Sequence, residues 1–124
     1  MARILVAEDE AAVRDLVERA LTTFGHEVVA VADGGAALAE LGGEPFDMLL
    51  TDIVMPVMDG IGLALKCADD FPAMPVLLMS GYAHERARAY NLSDLIARVL
   101  DKPFSLEDLR KAVSETLAGA QGAS

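Results

Sequence analysis

In Met48-Leu49-Leu50-Thr51-Asp52-Ile53-Val54-Met55-Pro56, a short apolar run ends on a carboxylate and is then interrupted by proline. Met48 to Thr51 has the length and composition of a strand, so Asp52 stands at its tip and regular structure breaks up through Gly60. The pattern recurs on both sides. Upstream, Ile4-Leu5-Val6-Ala7 is a continuous apolar run of the kind found in parallel strands covered on both faces, and Glu8 and Asp9 follow it. Val28 to Val31 reads as another strand. Downstream, Pro75 to Ser80 and Arg98 to Leu100 complete the set, the last ended by Lys102-Pro103.

Between these runs the apolar spacing becomes helical. Val13, Leu16, Val17, Ala20, Leu21 and Phe24 recur on one helical face, and Gly25 follows as a stop. Asp33 is placed to cap a second helix over Ala36 to Leu41, ended by Gly42-Gly43. Ile61 to Phe71 predicts a third helix. His84 to Leu95 predicts a fourth, which Asn91-Leu92-Ser93-Asp94 could interrupt. Ser105-Leu106-Glu107-Asp108 has the form of a capping box with Asp in place of Glu, opening a fifth helix whose Leu106, Leu109, Val113 and Leu117 share one face. Residues 1–118 then form the domain and residues 119–124 a flexible tail. This alternation predicts a doubly wound α/β fold, a five-stranded parallel sheet with five helices on its two faces.

Composition narrows the possible partners. Twenty acidic residues against ten basic ones give a net charge of −10, which repels a polyanionic backbone, so no nucleic-acid partner is expected. No apolar run reaches membrane-spanning length, and Glu8 and Asp9 come too early for a signal peptide; a cytoplasmic protein with no membrane partner is expected. Cys67 is the only cysteine and sits among apolar neighbours, as an inert thiol would. His26 and His84 lack ligand spacing and read as surface residues.

In open parallel sheets the ligand site lies beyond the carboxyl ends of the strands, where strand order reverses. Glu8, Asp9, Asp52, Ser80 and Lys102 all fall at such ends. Singly, each has an ordinary explanation as a cap or a solvated loop residue. Together they place three carboxylates, a hydroxyl and an ammonium on one sheet edge. Adjacent carboxylates repel, so a hard divalent cation, Mg2+ or in its place Mn2+, is the natural occupant, with the Val54 carbonyl available to complete its shell. A carboxylate can attack a phosphoryl donor to give an acyl phosphate, with Lys102 and Ser80 partnering the transferred oxygens.

Glu8-Asp9, Thr51-Asp52, Met55-Pro56-Val57-Met58-Asp59-Gly60, Ser80-Gly81 and Lys102-Pro103-Phe104 together resemble the signature of CheY-like response-regulator receivers, with their flavodoxin-like fold. The resemblance implies that Asp52 is the phosphoacceptor and that Glu8 and Asp9 are metal-site acids. It also implies that Ser80 is the switch hydroxyl and Lys102 the phosphate-pairing lysine. The donor would be a histidine kinase or a histidine phosphotransferase. Output would pass to a protein partner through the face of the fourth helix, fifth strand and fifth helix. The segments TDIVMP, PVLLMSGY and VLDKPF look most like the short CpdR-type regulators of alphaproteobacteria, implying phosphorylation-controlled adaptor work on a protease component. No output segment follows Lys111 to Ser124, so a stand-alone switch is expected. Competing readings are a phosphorelay intermediate that returns phosphate to a histidine phosphotransferase, and a receiver taken from a hybrid kinase.

Two departures bear on mechanism. Many receivers carry Tyr or Phe three residues before the lysine, where this chain has Val99; Tyr82 or Tyr90 could substitute. An aspartyl-phosphate phosphatase needs a general acid two residues after its nucleophile, and Val54 stands there. Activity beyond self-phosphorylation and slow dephosphorylation is therefore not expected.

Overall fold

Strands form where the chain runs apolar: β1 (Arg3–Ala7), β2 (Glu27–Val31), β3 (Met48–Asp52), β4 (Val76–Ser80) and β5 (Arg98–Asp101). They are joined in a computed structural model that describes residues 2–55, 57–81 and 98–122. All pair in parallel in the order β2-β1-β3-β4-β5. The chain steps from β1 to β2 and then returns past β1 to β3, so strand order reverses between β1 and β3.

Four helices lie among the described residues: α1 (Ala11–Thr23), α2 (Gly34–Leu41), α3 (Gly60–Asp70) and α4 (Leu106–Gly122). The expected fourth helix over His84 to Leu95, with Tyr82 and Tyr90, lies outside the described residues, so α4 is the helix anticipated as the fifth. Successive side chains of a strand point to opposite faces, and this sorts the core into two layers. Leu5, Leu49 and Leu78 pack with Ala37 of α2 and Leu63 of α3. Ile4, Leu50 and Leu77 pack with Leu21 of α1 and Val113 of α4. Every residue of β3 and β4 is buried, which is why their sequences run apolar without alternation.

The helix ends follow local rules. Gly25, at φ 96°, takes the left-handed conformation that ends α1, with Gly25 N–H donating to Thr22 and His26 N–H to Leu21, the pair of bonds of a Schellman motif. Asp33 and Asp59 cap α2 and α3 by accepting from the amides of Ala36 and Gly62 at 2.7 and 2.8 Å. The capping box on α4 is reciprocal: Asp108 N–H donates to Ser105 Oγ at 3.0 Å, and Ser105 N–H to Asp108 Oδ2 at 3.2 Å.

Some expectations differ from the structure. Leu16 and Leu106 follow the apolar spacing yet are 48% and 51% exposed, because no element among the described residues packs over them. Residues 119–122, placed in a tail by the sequence, carry the last turn of α4. His26 is half-buried, its Nδ1 accepting from Ala2 N–H at 3.1 Å. Cys67, by contrast, is as expected: it is buried in α3, and burial pushes its thiol up to about 11, which keeps it inert.

Candidate functional site

Glu8 and Asp9 follow β1, Asp52 closes β3, Ser80 closes β4 and Lys102 follows β5. Their common edge is the carboxyl end of the sheet, and the acids meet where strand order reverses between β1 and β3.

Glu8 is fully buried, and each of its polar atoms has a partner. Its N–H donates to Val31 O at 3.0 Å, and its carbonyl accepts from Arg14 Nη1 at 2.9 Å. Oε1 accepts from Lys102 Nζ at 2.8 Å, and Oε2 from Glu10 N–H at 3.1 Å. Asp52, 8% exposed, accepts from Ile53 N–H on Oδ1 at 3.0 Å and places Oδ2 3.2 Å from Lys102 Nζ. Its backbone is also held. Thr51 Oγ1 donates to the Asp52 carbonyl at 3.0 Å, and Gly60 N–H to the Ile53 carbonyl at 2.7 Å. A methyl group on Gly60 would fall on the Asp52 carbonyl oxygen, so only glycine lets α3 begin this close to the acid.

The electrostatics follow from burial. Desolvation pushes the Glu8 carboxyl from an ordinary 4.5 up to about 7, against the Lys102 and Glu10 hydrogen bonds and with the repulsion of Asp52. Asp52 is raised for the same first reason, with Lys102 opposing. For Lys102, desolvation works to lower the ammonium, but the hydrogen bond and charge of Glu8 and the charge of Asp52 outweigh it and raise it. One ammonium thus serves two buried acids.

Glu8, Asp9 and Asp52 offer oxygens that all lie within 4.8 Å of one another, two of them from buried residues and one from an exposed residue. Hard oxygen donors of this kind suit Mg2+, and the raised pKa values of the two buried acids mark a cluster short of positive charge. The residues present fit the ion. Ser80 is 1% exposed and accepts Lys102 N–H on its carbonyl at 2.7 Å, which ties β4 to the lysine. Val54 is 54% exposed on the rim of a cleft of about 620 Å³, lined also by Asp9, Val13, Asp52, Lys102 and Phe104.

Residues 4–114 match the family model described as the response regulator receiver domain. The chain belongs to the response-regulator receiver family. It is 38% identical over 120 residues to the response regulator receiver protein CpdR of Brucella abortus, an alignment covering 97% of this chain and 100% of that one. It is 43% identical over 120 residues to part of the sensor kinase CckA of the same organism, covering 94% of this chain and 12% of the kinase. Among solved structures, the response regulator TrrA of Thermotoga maritima in complex with Mg(2+)-BeF superposes at a TM-score of 0.85 and 27% identity, covering 94% of this chain and 99% of that chain.

Sequence reasoning brought Glu8, Asp9, Asp52, Ser80 and Lys102 to the right edge and missed three supporting residues. Thr51 and Gly60 stood inside quoted motifs but carried no role. Arg14 was passed over, because a long side chain turning back to a carbonyl leaves no periodic signal. No helix among the described residues is long and apolar enough to cross a membrane.

Proposed function

We propose that Asp52 accepts a phosphoryl group from a phosphohistidine of a histidine kinase or histidine phosphotransferase, and that the acyl phosphate controls a contact with another protein. The observation that supports this best is a buried carboxylate at the tip of a central strand, with one oxygen 3.2 Å from an ammonium and two further acids beside it.

An Asp52 oxygen forms the new P–O bond. The P–N bond breaks with its electron pair passing to the imidazole, which leaves neutral on taking up a proton. Mg2+, or Mn2+ in its place, would neutralise charge on the transferred oxygens, and the ligands assigned to it are Glu8, Asp9, Asp52 and the Val54 carbonyl. Lys102, already against Asp52, pairs with one phosphoryl oxygen and the Ser80 hydroxyl donates to another, so a dianion there favours the conformation that brings both groups in. Hydrolysis reverses the modification: water attacks phosphorus, inorganic phosphate leaves and the carboxylate returns. Val54 stands on the rim that this water must cross.

The downstream partner, a protease component in this reading, binds the face that β5 and α4 present in the cytoplasm. Likeness to CpdR along that protein's whole length supports it. The higher identity to a stretch of the sensor kinase CckA supports a second reading, a relay receiver that passes phosphate on to a histidine phosphotransferase. Phosphotransfer profiling separates the two. Adaptor work predicts stable phosphorylation and phosphorylation-sensitive protease engagement, whereas rapid back-transfer to a phosphotransferase would replace it with the relay. No transfer to the chain from any histidine donor would refute both.

A further inference from the structure

We propose that Arg14 is a positioning residue of the metal site, holding in place the peptide that joins Glu8 to Asp9. The inference rests on the reading of Glu8 and Asp9 as metal-site acids and concerns how they are held.

The carbonyl that accepts from Arg14 Nη1 at 2.9 Å is that of Glu8, and it belongs to the same planar unit as the Asp9 N–H. Fixing that oxygen fixes the plane from which both acid side chains leave. The turn needs the help. The N-cap residue of α1, Glu10, makes no side-chain capping bond, and the first turn of α1 carries no acidic residue. The turn is held to the helix instead through Glu8, whose Oε2 accepts Glu10 N–H and whose carbonyl accepts Arg14. Lys102 binds only the far end of the Glu8 side chain, so it cannot set the peptide plane.

Arg14 is itself only half-buried, so replacing it removes a hydrogen bond without opening the core. A planar guanidinium bonds directionally, whereas an ammonium acts as a compact point donor on a shorter reach. Partners that orient ligands without touching the ion typically change metal affinity by about 10- to 100-fold.

The test uses the full chain with Mg2+ alone, titrated calorimetrically at constant pH into the parent, Arg14→Ala, Arg14→Lys and Asp9→Asn. Thermal unfolding in chelator establishes that each variant is folded at the titration temperature. The expected result is a dissociation constant raised about 10-fold in Arg14→Ala, a smaller rise in Arg14→Lys, and loss of binding in Asp9→Asn. Equal affinities for the parent and a folded Arg14→Ala overturn the inference while leaving the metal site standing. If Arg14→Ala does not fold, Arg14→Lys decides: a parental affinity there overturns it, and a raised constant upholds it. A parent that binds no Mg2+ overturns the metal site itself, and the inference with it.

Discussion

Replacing Glu8 with Gln should reverse the sign of a stability difference as the pH is raised. In the folded protein Glu8 holds its proton to about pH 7, whereas an ordinary carboxyl releases it near 4.5. Between those values the folded state binds more protons than the unfolded chain, so stability falls as pH rises and stays low above the window. At about 1.4 kcal/mol per pH unit, the ionised buried acid costs the metal-free fold about 3 kcal/mol above pH 7. A glutamine side chain does not titrate. Its carbonyl can still accept from Lys102, but its amide nitrogen cannot accept from Glu10 N–H, a loss of about 1 kcal/mol at every pH. Glu8→Gln should therefore be about 1 kcal/mol less stable than the parent near pH 4.5 and about 2 kcal/mol more stable near pH 8. The assay is urea unfolding with chelator present, followed by far-ultraviolet circular dichroism because the chain has no tryptophan. With a slope of about 2 kcal/mol per molar urea, the midpoint near pH 8 should rise by about 1 M. Parallel pH profiles for the two proteins would refute the reasoning, since they would mean that Glu8 titrates alike in both states.

Other substitutions test the remaining parts of the site. Val54→Asn replaces a β-branched apolar side chain on the rim with a polar amide that can hydrogen-bond the attacking water, and should speed hydrolysis of the Asp52 phosphate by about 10-fold, or ~1.4 kcal/mol of barrier, measured as phosphate release; a parental rate would count against a shielding role. Gly60→Ala drives a methyl against the Asp52 carbonyl and should lower stability by about 1–3 kcal/mol while slowing phosphorylation. Unchanged unfolding and unchanged phosphorylation would show that α3 can move away from Asp52 freely.

Much of the fold was legible because each element carried its own local signal. The unbroken apolar runs of β3 and β4 match strands buried on both faces, and Gly25, Asp33 and the Ser105–Asp108 box end or begin helices where their chemistry requires. Periodicity located the apolar faces of α1 and α4 but could not say what lay opposite them. Leu16 and Leu106 follow the spacing and still meet solvent, because burial depends on a neighbour that neither helix encodes. The acids and the lysine were legible through their place at strand ends. Their supports were not. Arg14 reaches a backbone carbonyl, Thr51 bonds its own neighbour's carbonyl, and Gly60 matters for the space it leaves empty. Contacts of these kinds depend on backbone geometry that no single residue announces.

The two raised carboxyls and the lysine between them also explain why the site calls for a cation. Two buried acids share one ammonium, and any oxygen-bound dication would relieve what that ammonium leaves uncompensated. Whether this cluster performs phosphoryl chemistry rests on one atom pair, the Asp52 carboxylate oxygens. Incubating the chain with Mg2+ and acetyl phosphate and reading its intact mass, beside Asp52→Asn, isolates them. The parent should gain the mass of a single phosphoryl group and Asp52→Asn none; a phosphorylated Asp52→Asn protein, or a parent that stays unmodified, would contradict the assignment of Asp52.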